Sequence, residues 1–152
     1  RRMTAAEVFF DTNVVIYLLS EDAAKADRAE ELLAAGGRVS VQVLNEFAAV
    51  ASRKLGMGWK DIGEILTQVR AVCPVEPLTI ETHEQGLAIA ARYGLGVYDA
   101  MIVASALLAG CKVLYSEDLQ HGQIFCAAIN RPKSVQLISS AGLVEEPGPP
   151  AS

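Results

Sequence analysis

Four acidic residues, Asp11, Glu46, Asp99 and Asp118, occupy places in this sequence where a carboxylate does more than decorate a surface. An acid on a solvated helix face usually has a basic neighbour three or four residues away, as Glu31 has Arg28; Glu46 and Asp99 have none at that spacing. Asp99 stands among Tyr98, Ala100, Met101, Ile102 and Val103, and Asp11 among Phe9, Phe10, Val14 and Val15, so both are attached to apolar, core-forming segments. A buried carboxylate without a partner is costly, and a bound cation is a common remedy. With hard oxygen donors and no histidine or cysteine cluster beside them, the expected ion is Mg²⁺ or Mn²⁺ rather than zinc. Carboxylates clustered around such an ion suit hydrolysis of a phosphodiester, because the ion can clamp both the attacking water and the leaving oxygen. Taken singly, each acid has a plainer reading. Asp11 and Asp99 would serve as helix caps, Glu46 as a surface residue and Asp118 as a turn former.

The elements that must position these residues follow from the pattern of apolar residues. Residues 7–10 form a short strand that delivers Asp11 at its end, and 12–19 read as a first helix. Residues 22–35 form an amphipathic helix with Ala26, Ala29 and Leu33 on one face and Gly36-Gly37 as its stop. A strand at 38–41 leads into a helix over 42–55, whose apolar side carries Leu44, Phe47, Ala48, Ala51 and Leu55, with Glu46 in its first turns. Helices follow at 59–72 and 81–93, with a strand at 75–78 between them. The segment 97–109 is apolar nearly all round, which predicts a helix sandwiched inside the fold. Residues 112–115 form a strand, 116–123 a polar loop, and 135–138 a last strand after an irregular stretch containing Pro132. Short strands alternating with helices predict an α/β fold, a central parallel sheet flanked by helices on both faces. In such a sheet, strand ends and helix starts share one edge, where ligands bind. Asp11 and Asp118 follow strands while Glu46 and Asp99 lie near helix starts, so all four are expected at one crevice.

The 152 residues, 51% of them hydrophobic, suffice for one core, and a single domain is expected over 7–140. Residues 1–6 read as a terminal extension, with Arg1 and Arg2 before Met3 open to being a remnant of cloning, and the proline-bearing 141–152 as a disordered tail. No apolar stretch reaches the roughly eighteen residues of a membrane span, and a cytoplasmic protein with no membrane association is the expectation. Cys73, Cys111 and Cys126 are too scattered for a zinc site or a disulfide framework and are expected to be reduced and at least partly buried. Thirteen Lys and Arg against 18 Asp and Glu, a net charge of -5, exclude a broad basic surface as the means of holding nucleic acid. A polyanionic substrate would have to be met through bound cations.

Three segments together resemble a known family: FFDTNVVIYLL at 9–19, VSVQVLNEF at 39–47 and YDAMIVASALLAGCKVLYSEDLQHG at 98–122. They resemble PIN-domain ribonucleases, especially the VapC toxins of bacterial toxin-antitoxin pairs, and the resemblance runs from about residue 8 to 138. It implies a PIN-like fold and a Mg²⁺- or Mn²⁺-dependent endoribonuclease acting on RNA. It also implies a homodimer held inactive by an antitoxin protein that places a segment in the site. By match of motif, Asp11, Glu46, Asp99 and Asp118 are the catalytic, metal-holding acids, and Asn13 and Ser116 are polar residues beside them. Glu117 adjoins Asp118, which is the favoured ligand of the two.

Other readings stay open at this stage. A hydrophobic strand followed by Asp-Thr-Asn also suits a phosphatase or phosphotransferase with Asp11 as nucleophile, although such enzymes usually need a second acid where Asn13 stands. A response-regulator receiver domain would need further acids and a later lysine, and a non-catalytic binding module would not need four acids. His121 reads as a solvated loop residue, and Trp59 and Tyr93 as packing residues rather than base-stacking ones. Arg53, Lys54, Arg92, Arg131 and Lys133 are candidate phosphate contacts that read more simply as dispersed surface charge.

Overall fold

A computed structural model describes residues 3–116, 122, 124–126 and 134–138. Asp118, and with it Glu117, His121, Arg131, Lys133 and the tail, lie outside the described residues. Valine and phenylalanine favour extended backbone, and Val8–Phe10 forms the first strand, β1. β4 (Val113–Tyr115) lies parallel to it, pairing Val8 with Val113 and Phe10 with Tyr115. β6 (Ser134–Ile138) lies parallel on the other side of β4, with Leu114 opposite Leu137. β5 (Ile124–Cys126) closes this sheet in antiparallel pairing with β6, giving the order β1-β4-β6-β5. The sequence placed Ile124 to Cys126 in an irregular stretch. A three-residue apolar run shows no alternation, and its pairing with β6 rather than its own pattern makes it a strand.

A parallel pair of two-residue strands, β2 (Val39–Ser40) and β3 (Val75–Glu76), continues the layer beyond β1. A parallel bridge between Phe9 and Arg38 joins the two parts, with Phe10 N donating to Arg38 O and Arg38 N to Val8 O, each at 2.9 Å. An Arg38–Glu76 ion pair at 2.8 Å ties the outer strands together.

The helices are α1 (Thr12–Ile16), α2 (Ala23–Ala35), α3 (Val41–Arg53), α4 (Trp59–Val72), α5 (Ile80–Tyr93) and α6 (Val97–Leu108). The single helix expected over 12–19 is split, since Tyr17–Leu19 tightens into a 3₁₀ turn after α1. In α3 the buried stripe is Val43, Phe47 and Ala51. Leu55, expected on that stripe, falls beyond the helix end and is exposed. Gly94, at φ +69°, stops α5 in the left-handed conformation that a side chain disfavours. α6 is buried from Ala100 through Leu107, packed between β4 and β6 on one side and α5 on the other, as its all-round apolarity demands. Among the described residues no single helix is long and apolar enough to cross a membrane. The pair α5 and α6 has the length and apolarity together but is bent by 117°.

Phe9, Phe10, Phe47, Leu114 and Leu137 are among the largest fully buried side chains. Phe10 stacks on Tyr115 with centroids 6.0 Å apart, and the backbone at Gly37 runs so close that a Cβ there would overlap the Phe10 ring. Cys73 and Cys111 are free and buried, and burial pushes their thiols from 9.0 up to about 11 and about 12.

Two outcomes follow from this core. Gly37→Ala should lower the unfolding free energy by about 1–3 kcal/mol in urea titration, because the rigid aromatic behind it must shift; unchanged stability would show that the ring yields freely. Above pH 9 the unfolded chain ionises its thiols while the folded chain keeps them neutral, so stability should fall as pH rises toward 11. The limit is about 1.4 kcal/mol per pH unit for each thiol. A Cys73→Val, Cys111→Val variant should lose that slope, and identical slopes in the two proteins would contradict it.

Candidate active site

Parallel pairing of β1 with β4 sets the residues that follow the two strands side by side. Asp11 N continues the ladder by donating to Tyr115 O, and Ser116 N donates to Ile138 O, both at 2.9 Å. The two side chains then meet, and Ser116 Oγ donates to Asp11 Oδ2 at 2.5 Å. Asp11 is only 3% exposed and Ser116 fully buried, so this bond is shielded from water. The other oxygen, Oδ1, accepts from Thr12 N at 2.6 Å, which makes Asp11 the N-cap of α1. The plain reading of Asp11 as a cap is therefore true of one oxygen, and the other is held by the neighbouring strand.

Thr12, which sequence reasoning passed over, extends the network. Its hydroxyl donates to Glu46 Oε2 at 3.3 Å, joining α1 to α3, which packs against it. Glu46 reaches this point because Ser40 caps α3 through Val43 N (3.3 Å) and starts that helix directly at the end of β2. The signal was present in the sequence: Thr12 is a polar residue between a strand and Val14-Val15, where an unpaired hydroxyl would be costly. Asn13 follows in α1, half-buried.

Asp99 lies in the first turn of α6, half-buried, behind Gly96, which caps that helix without a side chain. A first-turn acid suits the positive end of a helix. α6 leads back into parallel β4, so its start belongs to the same sheet edge as the ends of β1 and β2. The structure thus joins Asp11, Ser116 and Glu46 into one network through Thr12. It does not draw three acids into a single cluster: among the described residues no group of three acidic, histidine or cysteine side chains could hold an ion. Trp59, read from sequence as a packing residue, is instead 70% exposed. Tyr93 is half-buried beneath Arg92, whose guanidinium lies 5.3 Å from its ring centroid. Arg53 and Lys54 stand at the far end of α3, roughly 10 Å along its axis from Glu46.

Residues 8–124 match the PIN domain family. This chain belongs to the PIN domain family. Among solved structures its fold is similar to VapC20 of Mycobacterium tuberculosis, a toxin that cleaves the sarcin-ricin loop. The TM-score is 0.60 at 22% identity over 70% of this chain and 86% of that one. It is also similar to a toxin-antitoxin complex of Klebsiella pneumoniae, with TM-score 0.56 and 23% identity over 73% and 86% of the two chains. FitAcB of Neisseria gonorrhoeae gives 0.57 and 16% over 90% and 99%. No curated protein sequence matches the chain. At these identities the likeness is one of fold, and it agrees with the α/β architecture of this PIN domain.

The buried Ser116 bond makes a measurable demand. Ser116→Ala leaves an Asp11 oxygen without that donor and should cost about 1–3 kcal/mol of stability in denaturant titration. An unchanged midpoint would mean that the hydroxyl contributes nothing to holding the carboxylate.

Proposed function

We propose that this PIN domain is a Mg²⁺- or Mn²⁺-dependent endoribonuclease, the toxin of a toxin-antitoxin pair, acting in the cytoplasm as a homodimer restrained by an antitoxin protein. The observation that carries the reading is Asp11: a carboxylate 3% exposed at the tip of β1, linked to Glu46 through Thr12 and held by Ser116. A residue needed only to cap a five-residue helix has no use for the second and third of these partners.

The donor set fits a hard divalent cation in its chemistry, since it consists of carboxylates and hydroxyls. Asp11 and Glu46 would hold the ion, with Asp99, which starts α6 at the same sheet edge but forms no three-acid cluster with them, and Asp118, which lies outside the described residues, as the further acids. When bound, such an ion supplies positive charge against the phosphate and lowers the pKa of water. Thr12 N and Ser116 Oγ fix both Asp11 oxygens, so the carboxylate is oriented before substrate arrives. The Thr12 hydroxyl does the same for Glu46. Asn13, one residue on in α1, is placed to orient a phosphate oxygen or a water. In the hydrolysis, water oxygen adds to phosphorus in line with the P–O3′ bond, which breaks; the 3′ oxygen takes a proton, leaving a 3′-hydroxyl and a 5′-phosphate. Asp11 as a phosphoryl-accepting nucleophile is disfavoured because the second acid such enzymes usually need two residues on is replaced by Asn13.

Purified protein given a mixed pool of structured RNAs should cut with Mg²⁺ or Mn²⁺ and not with EDTA. Asp11→Asn and Asp99→Asn should each lower the rate at least about 100-fold while melting cooperatively. Cleavage by both variants at the wild-type rate would overturn the site, and cleavage in EDTA would overturn the cation requirement.

A further inference from the structure

The starts of three helices open together on a groove of about 710 Å³, lined by Gln42 of α3, Leu78, Thr79, Ile80 and His83 at the start of α5, and Val97, Tyr98 and Met101 of α6. Two neighbours connect it with the acid site: Tyr98 directly precedes Asp99, and Gln42 lies one turn before Glu46. Since α3 starts at the end of β2 and α5 follows β3, the groove lies along the same sheet edge.

Its lining differs in kind from that of the acid site. None of the lining residues is acidic. The floor is apolar, with Met101 buried, while Tyr98 is 63% exposed, an aromatic face open to solvent. Gln42 and His83 supply an amide and an imidazole, groups able to read the polar edge of a ring. A volume of this size falls in the range of small-molecule sites, ample for one base. An exposed aromatic beside polar side chains is how proteins take up unstacked bases.

We propose that this groove receives an unpaired RNA base next to the scissile phosphate, stacked on Tyr98 with its edge toward Gln42 and His83. The proposal rests on the ribonuclease reading above and deepens it by naming the groove and the ring, Tyr98, that would take a base of the substrate. The sugar-phosphate backbone runs past Asp99, and the base turns into the uncharged groove. A chain of net charge -5 gains binding strength in this way without relying on phosphate contacts alone. The sequence offers Trp59 and Tyr93 as candidate base-stacking aromatics that read as packing residues, and does not single out Tyr98. The exposed ring beside the acids is Tyr98.

The test uses the full chain carrying Asp11→Asn, with Tyr98 intact, changed to Ala or changed to Phe. The probes are a fluorescein-labelled 12-nucleotide single-stranded RNA of mixed sequence, its duplex, and an abasic strand of the same length, followed by fluorescence anisotropy in Mg²⁺. Tyr98-intact protein is expected to prefer the single strand to the duplex and the abasic strand. Tyr98→Ala should weaken single-strand binding about ten-fold or more, and Tyr98→Phe should retain it, with melting temperature and light-scattering mass unchanged in both. Equal binding by Tyr98→Ala overturns the groove reading. So does a fall in mass for that variant, which would make the groove a contact between copies of the chain. If wild-type protein still cuts RNA in either case, the nuclease reading survives alone; if it neither binds nor cuts RNA, both readings fall together.

Discussion

Everything at the acidic edge depends on the parallel register of β1 against β4. Val8 opposite Val113 and Phe10 opposite Tyr115 leave Asp11 and Ser116 as the next two positions, one on each strand. A slip of one residue would turn Asp11 away from Ser116 and bring an apolar side chain to the edge. The register is fixed from beneath, because Phe9, Phe10, Val113 and Leu114 are all fully buried, and no shifted pairing would bury them equally. Apolar packing thereby sets the position of a charged group.

The helices supply the remaining acids by the same logic. α3 carries Glu46 to the edge because Val43, Phe47 and Ala51 lock its inner face to the core. α6 carries Asp99 there because Ala100 to Leu107 are buried between the sheet and α5. Polar contacts then adjust the ends: the Thr12 hydroxyl spans α1 and α3, and the Ser40 cap decides where α3 begins. The carboxylate side chains thus sit on supports with little freedom of their own.

Much of this was readable in the sequence where periodicity and burial agree. The all-apolar α6, the Gly94 stop and the strands bearing Asp11 and Ser116 come from patterns a single segment contains. What the sequence hid depends on partners far away along the chain. Ile124 to Cys126 becomes a strand only by lying against β6, and Leu55 is exposed because α3 ends at Arg53. Trp59 is apolar yet 70% exposed, which no periodicity announces. At the site, the residue types were readable but the bonding was not. That Thr12 links Glu46 to the Asp11 tip follows from how α1 and α3 pack, which no spacing along the sequence announces.

The central claim is that the Asp11 and Glu46 network is the support of a divalent-cation site in this PIN domain. Its most direct measurement is an anomalous difference map from crystals grown with Mn²⁺. The expected result is a peak at coordination distance, about 2 Å, from carboxylate oxygens of both Asp11 and Glu46, lost in crystals of Asp11→Asn. A Mn²⁺ peak elsewhere on the molecule, with none at Asp11 and Glu46, would contradict it.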